Sequence, residues 1–152
     1  MVFFGFSNKG HDGFLGNAVV GQWCNIGAAT DASNLKNDYS NVKAWSYSQN
    51  RFIDTGLQFC GLLMGDHSQC AIHTTFNTAT TVGVGCNIFG SGFPRTYIPS
   101  FSRGGAQGLV ENKIEKVQQT AQLMMQRRGL RIEESYSNLL AYIFGQTAPF
   151  RK

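Results

Sequence analysis

The sequence predicts an all-β chain wound as a parallel β-helix, and two observations predict it. Short units open on an aliphatic residue followed by glycine, as in Leu15-Gly16, Val20-Gly21 and Ile26-Gly27. The pattern returns downstream at a spacing of six residues, from Met64-Gly65 to Ile88-Phe89. This period fits neither an α-helix nor an alternating strand. It is typical of short strands that form the flat faces of a repeating coil.

The position of a residue within its unit predicts whether its side chain points into or out of the coil. The opening residues should face inward and stack from coil to coil: Val20, Ile26, Met64, Cys70, Phe76, Val82 and Ile88. Small residues four positions later should fill the remaining interior: Cys24, Thr30, Ser68, Thr74, Thr80 and Cys86. We expect the glycines to turn the corners of the coil, because a positive φ costs glycine little.

Composition limits the class of protein. The 152 residues suffice for one domain, and the 18 glycines suit a fold with frequent corners. No apolar run is long enough to indicate a membrane span or a signal peptide. No CxxC pair occurs, and Cys24, Cys70 and Cys86 fall on inward positions, so we interpret them as buried apolar residues rather than metal or redox groups. Unpaired thiols favour a cytoplasmic protein.

The net charge of +4 bears on the partners. A basic domain can meet nucleic acid or small anions. Lysines and arginines form no stripe interleaved with aromatic residues, which argues against a nucleic-acid partner. We therefore favour a phosphorylated substrate or a nucleotide cofactor, with no membrane partner.

Residues 35–56 interrupt the six-residue rhythm. Two β-like runs, 42–47 and 51–55, flank a turn at 48–50, which predicts a β-hairpin that leaves the coil. Such an insertion is either a functional arm or a tolerated loop at a corner, and the sequence leaves both open.

The last third of the chain predicts a helical extension. Pro94 and Pro99 with nearby glycines indicate a linker. Apolar residues at helical spacing then predict helices over 109–128 and 132–144, which would cover the coil or pack on a neighbouring subunit. We thus expect a β-helix over 1–102, with the inserted loop 35–56, and a helical extension over 103–152.

One stretch resembles a known family. The block His11-Asp12-Gly13-Phe14-Leu15-Gly16-Asn17, then Asn25-Ile26-Gly27-Ala28-Ala29-Thr30, then Asn34 is similar to the acetyltransferase half of the bifunctional GlmU family. The family motif reads His-x-x-Tyr-Leu-Gly-Asp, Asn-Ile-Gly-Ala-Gly-Thr and Asn-Tyr-Asp-Gly, and the spacing matches without a gap. The whole chain resembles even more closely the carboxy-terminal part of GlmU-like sugar nucleotidyltransferases of Bacteroidetes.

The resemblance implies a left-handed β-helix that forms a homotrimer, binds acetyl-CoA between subunits and N-acetylates an amino-sugar phosphate for UDP-N-acetylglucosamine synthesis. It also implies an upstream nucleotidyltransferase domain. The carried-over positions are His11 as catalytic base, Phe14, Asn25 and Asn34 at the substrate, and Ala28 and Gly90 at the acetyl-CoA groove.

Three departures from the family concern the substrate. Phe14 stands where the family has tyrosine, which removes a hydroxyl. Leu35-Lys36-Asn37 replaces Tyr-Asp-Gly after Asn34. The family's basic residues that hold the phosphate would precede Met1.

The residue types at these positions suit the reaction. An amine attacks a thioester only as the free base, and a neutral imidazole such as that of His11 can take its proton. Backbone N–H groups at the corners can stabilise the oxyanion that follows.

Two alternatives remain open at this point. His11, His67 and His73 could hold a metal, as in the trimeric γ-class carbonic anhydrases, although a spacing of six places the latter two on different faces. We interpret His67 and His73 instead as outward-facing polar positions. The second alternative is a non-catalytic trimerisation and regulatory module of a sugar nucleotidyltransferase, with a decayed acetyl site.

Overall fold

The structure, a computed structural model, describes residues 1–151 and consists mostly of short strands in parallel sheets, with two helices. The strands are β1 (Val2–Phe3), β2 (Val19–Val20), β3 (Asn25–Ile26), β4 (Asp31–Ala32), β5 (Lys43–Ser46), β6 (Arg51–Asp54), β7 (Leu63–Met64), β8 (Gln69–Cys70), β9 (Thr75–Phe76), β10 (Thr81–Val82), β11 (Asn87–Ile88), β12 (Tyr97–Ile98), β13 (Ser102–Gly105) and β14 (Gly108–Glu111). The helices are α1 (Ile114–Gln126) and α2 (Glu134–Gln146), followed by a 3-10 turn over Ala148–Arg151.

The chain visits three sheets in turn. Sheet 1 has the order β1-β2-β7-β10-β12, sheet 2 the order β14-β13-β11-β8-β3, and sheet 3 pairs β4 with β9. From β7 to β11 a strand begins every six residues, in sheets 1, 2, 3, 1 and 2. All pairs in this part of the fold are parallel. The predicted six-residue period is therefore confirmed as the period of the strands.

The interior is filled as the pattern predicts. The inward-facing residues Val20, Ile26, Met64, Cys70, Phe76, Val82 and Ile88 belong to one buried cluster. The small residues Cys24, Thr30, Ser68, Thr74, Thr80 and Cys86 are buried too. In the unit that opens at Leu15, the inward residues are Leu15 and Ala18, whereas Val19, four positions after Leu15, is 39% exposed.

The prediction that glycines turn the corners of the coil is wrong. The left-handed corner residues are mostly not glycine: Asn17, Trp23, Ala29, His67, His73 and Ala79 all have φ near +50° to +60°. Gly27 and Gly65 have other conformations and lie against the backbone of the next coil. A Cβ on Gly27 would come within 2.5 Å of Ile72 N, and one on Gly65 within 2.8 Å of Gly83 C. Close stacking of coils, not a turn, requires these glycines.

The inserted segment forms the predicted hairpin. Strands β5 and β6 pair antiparallel, with Trp45 opposite Phe52. The hairpin packs on sheet 1, where the Trp45 ring stacks on Tyr97 at 4.0 Å between centroids. Val42 and Ala44 form a second small core with Ala79.

The predicted linker after Ile88 is wrong, because the sheets continue. Strand β12 extends sheet 1 and β13 extends sheet 2. Pro94 and Pro99 lie just outside these strands, where their missing N–H groups interrupt no ladder.

The first helix begins later than predicted. Strand β14 occupies residues 108–111, and α1 begins at Ile114. Gly108, with φ of +141°, allows the chain to reverse and pair β14 with β13. The second helix is confirmed over 134–146. No helix within residues 1–151 is long and apolar enough to cross a membrane.

Candidate functional site

His11 lies at the corner between sheets 2 and 3. Two backbone contacts to the next coil fix this loop: Asn8 O accepts from Ile26 N at 3.0 Å, and Asp12 O accepts from Ala29 N at 3.1 Å. The His11 side chain is exposed. Its imidazole is therefore free to approach a ligand at this corner.

The two positions carried over for acetyl-CoA lie at the same corner. Strands β3, β8 and β11 are in register in sheet 2. Ala28, Ile72 and Gly90 each come two residues after one of these strands, so they stack from coil to coil. Ile72 is 64% exposed, and Gly90 is exposed as well. We call His11, Ala28, Ile72 and Gly90 the corner row.

Asn25 lies on the outer side of sheet 2 within a row of polar side chains. It pairs with Asn8 on one side and with Gln69 on the other, and Asn87 and Arg103 continue the row. Because paired positions of parallel strands point to the same side, the amides stand next to one another. Such a row offers several donors and acceptors to one ligand.

A groove of about 500 Å³ lies between this row and α1. We call it the polar groove, and it is lined by Phe6, Asn8, Trp23, Asn25, Gln69, Thr120, Met124, Arg127 and Arg128. No acidic residue lines it within the part of the chain that the structure describes. The groove therefore combines amides, aromatic rings and two cationic side chains.

The aromatic end of the groove is a stack of rings. Phe6 stacks on Trp23 with centroids 4.1 Å apart, and Trp23 faces His67 at 6.2 Å. His67 is buried, and its Nε2 lies 2.8 Å from the hydroxyl of Tyr136 on α2. Burial lowers the pKa of His67 to about 4, so the imidazole is neutral near pH 7. The stack ties α2 to the coil.

Phe14 and Asn34 come together elsewhere, beside sheet 3. A Cβ on Gly16 would lie 2.6 Å from both Phe14 Cζ and Asn34 Nδ2. Asn34 Nδ2 donates to Asn17 Oδ1 at 2.7 Å. The Phe14 ring is 56% exposed, and its backbone N–H donates to Asp31 Oδ1 at 2.6 Å. The six carried-over residues thus divide between the corner row, the polar groove and this pair.

Three of the four cysteines lie in the interior of the coil. Cys24, Cys70 and Cys86 are buried, as predicted, and burial raises the pKa of each thiol, which makes them poor nucleophiles at neutral pH. Residues 1–151 hold no group of three or more His, Cys, Asp or Glu side chains that could bind a metal ion.

His67 contacts Trp23 and Tyr136 outside the coil interior, but it is buried because α2 covers it, whereas an outward polar position was expected to be exposed. His73, which has the same backbone conformation, is exposed as expected.

Sequence reasoning missed the aromatic and cationic walls of the polar groove. Phe6 and Trp23 lie 17 residues apart, the length of the first coil, and that spacing could have paired them. Arg127 and Arg128 carry no comparable signal, because only the fold of α1 against sheet 2 brings them to the groove.

Comparison with protein-family models and with curated proteins finds no match for this chain.

Proposed function

We propose that the chain is a left-handed parallel β-helix that assembles as a homotrimer and transfers the acetyl group of acetyl-CoA to the amine of an amino-sugar phosphate. One observation carries the proposal. His11, Ala28 and Gly90, the positions that the resemblance assigns to the base and to acetyl-CoA, lie at one corner of the coil. A catalytic base at one end of a row of backbone contacts suits a long cosubstrate that lies along that row.

The chemistry follows from His11. Its neutral imidazole takes a proton from the attacking amine while the nitrogen bonds to the thioester carbonyl carbon. The carbonyl oxygen becomes an oxyanion, which backbone N–H groups at the corner stabilise. The C–S bond then breaks, the imidazolium returns the proton to the thiolate, and the products are the amide and the free thiol.

A non-catalytic trimerisation module is the second candidate. Asn34, carried over as a substrate contact, already donates to Asn17 at 2.7 Å, and Phe14 lacks the family's hydroxyl. A site in which one contact is occupied and one is missing would favour assembly without catalysis. In either case, an upstream nucleotidyltransferase domain would be the partner of this chain within a longer protein.

The test is release of free thiol from acetyl-CoA in the presence of glucosamine 1-phosphate. We expect turnover that falls by about 10²- to 10⁴-fold in His11→Gln. His73→Gln is the matched control, because His73 is also an exposed histidine that follows a strand position of sheet 2. An enzyme-only reaction corrects for the four cysteines. Equal turnover in His11→Gln and His73→Gln would show that His11 is not the catalytic base. No turnover from a folded trimer would favour the trimerisation module.

A further inference from the structure

We propose that Arg127 and Arg128, at the end of α1, bind the phosphate of the sugar substrate, and that Phe6 supports its ring. This inference rests on the proposed function, since it places the amino-sugar phosphate in the polar groove with Asn25. It assigns the phosphate to the carboxy-terminal part of this chain.

The charge of the groove favours an anion. Arg127 and Arg128 are exposed and line the groove, and neither makes a salt bridge within residues 1–151. Two guanidinium groups can donate several hydrogen bonds to one phosphate. No carboxylate of the described residues lines the groove to compete with it.

The helix end opposes the anion, but only weakly. The carboxy terminus of a helix carries a partial negative charge of roughly half an elementary charge. Backbone N–H groups beyond the helix already occupy some of its last carbonyls: Arg128 N donates to Met125 O at 2.9 Å, and Gly129 N donates to Gln126 O at 3.0 Å. Two full positive charges therefore outweigh the helix end.

The remaining walls suit a sugar ring. Asn8, Asn25 and Gln69 present amide donors and acceptors that match hydroxyl groups. Phe6 is 47% exposed and stacks on the buried Trp23, which holds its ring in place. An aromatic face packs against the C–H groups of a sugar. The groove therefore offers arginines to the phosphate, amides to the hydroxyl groups and an aromatic ring to the sugar ring.

The groove also leads toward the proposed base. Asn8 lines the groove and pairs with Asn25, and His11 lies only three residues farther along the same loop. A sugar held beside Asn25 with its phosphate toward α1 would therefore lie on the side of the coil that adjoins the loop of His11.

Isothermal titration of the full chain with glucosamine 1-phosphate, glucosamine and inorganic phosphate tests the inference. We expect glucosamine 1-phosphate to bind more tightly than glucosamine, and its Kd to rise at least about tenfold in Arg127→Gln/Arg128→Gln. The control is Arg95→Gln/Arg131→Gln, which removes the same two charges from exposed arginines outside the groove. Phe6→Ala should weaken the binding of glucosamine 1-phosphate but leave the binding of inorganic phosphate unchanged.

Three results would overturn the inference. The first is an equal rise in the Kd for glucosamine 1-phosphate in both double variants, and the second is an unchanged Kd in Arg127→Gln/Arg128→Gln. The third is no binding of glucosamine 1-phosphate to a folded chain. Turnover measured on the same samples separates the two proposals. Arginine-dependent binding without acetyl transfer would support the groove and contradict the acetyltransferase. Acetyl transfer with an unchanged KM for glucosamine 1-phosphate in Arg127→Gln/Arg128→Gln would support the acetyltransferase and contradict the phosphate site.

Discussion

His67 carries a buried imidazole whose protonation the fold opposes. Its pKa is about 4 in the folded chain, against about 6.5 when unfolded, because burial disfavours the cation. Between these values the unfolded chain binds a proton that the folded chain does not, so stability falls as pH falls from 6.5 to 4. The loss should reach about 3 kcal/mol below pH 4.

Urea denaturation across this pH range measures the effect. His67→Gln should remove this part of the pH dependence, whereas His73→Gln should retain it, since His73 is exposed. If both variants keep the same slope between pH 6.5 and 4, the pH dependence has another source.

Arg151 anchors the carboxy-terminal turn through several contacts at once. Its side chain is only 5% exposed, its guanidinium lies 4.1 Å from the Phe144 ring centroid, and Nη2 donates to Phe144 O at 2.9 Å. Nε also lies 3.1 Å from the half-exposed carboxylate of Glu111. Loss of a buried charged donor typically costs a few kcal/mol, whereas a partly exposed ion pair contributes less.

We therefore expect Arg151→Gln to lower the free energy of unfolding by about 2–3 kcal/mol, and Glu111→Gln by about 1 kcal/mol or less. Chemical denaturation followed by circular dichroism measures both. Equal losses would mean that the ion pair, rather than the ring and carbonyl contacts, provides the stabilisation.

At the scale of elements, the stacking of coils depends on glycines that leave no room for a side chain. A Cβ at Gly27 would lie 2.5 Å from backbone atoms of Ala71 and Ile72, which belong to the strand connection of the next coil. Gly27→Ala must push two coils apart, and we expect a loss of about 3 kcal/mol. Gly5→Ala is the control, because nothing lies within 4 Å of its Cβ position. Thermal unfolding compares them, and similar melting temperatures would contradict the packing argument.

The strands and the hairpin could be predicted because their signals are local. A strand every six residues fixes which side chains face inward, and the turn at 48–50 fixes the hairpin. The start of α1 could not be predicted in this way. Leu109 fits a helical apolar stripe, but it forms part of strand β14 instead. There it lies opposite Gly104 of β13, and hydrogen bonds between the two antiparallel strands stabilise this arrangement.

Part of the candidate site could be predicted from the motif and from the register of the repeats. His11, Ala28 and Asn25 lie within one motif, and the register of neighbouring coils relates them. The polar groove instead needs α1 to fold back on sheet 2, so that Gln69 and Met124, 55 residues apart, come within 3.2 Å. No local pattern encodes such a contact.

At the scale of the whole molecule, the outer sides of the three sheets differ in how they are covered. The hairpin packs on sheet 1 through Trp45 and Tyr97, and the helices pack on sheet 2 through Met124 and Tyr136. Beside sheet 3, however, large apolar side chains are exposed: Phe14 and Phe93 are both 56% exposed, and Ile72 is 64% exposed. Exposed apolar side chains on one side of a molecule suit contact with another protein.

We expect this side of the coil to form the contacts of the proposed homotrimer. Light scattering after size exclusion should then give three times the chain mass of 16.7 kDa. Phe14→Asp/Phe93→Asp should shift the mass toward that of one chain, because burying two unpaired carboxylates at each contact costs several kcal/mol. Tyr142→Asp, on the exposed side of α2, should leave the mass unchanged. A monomeric wild-type chain would contradict the trimer, and a trimer that persists in Phe14→Asp/Phe93→Asp would place its contacts on another surface.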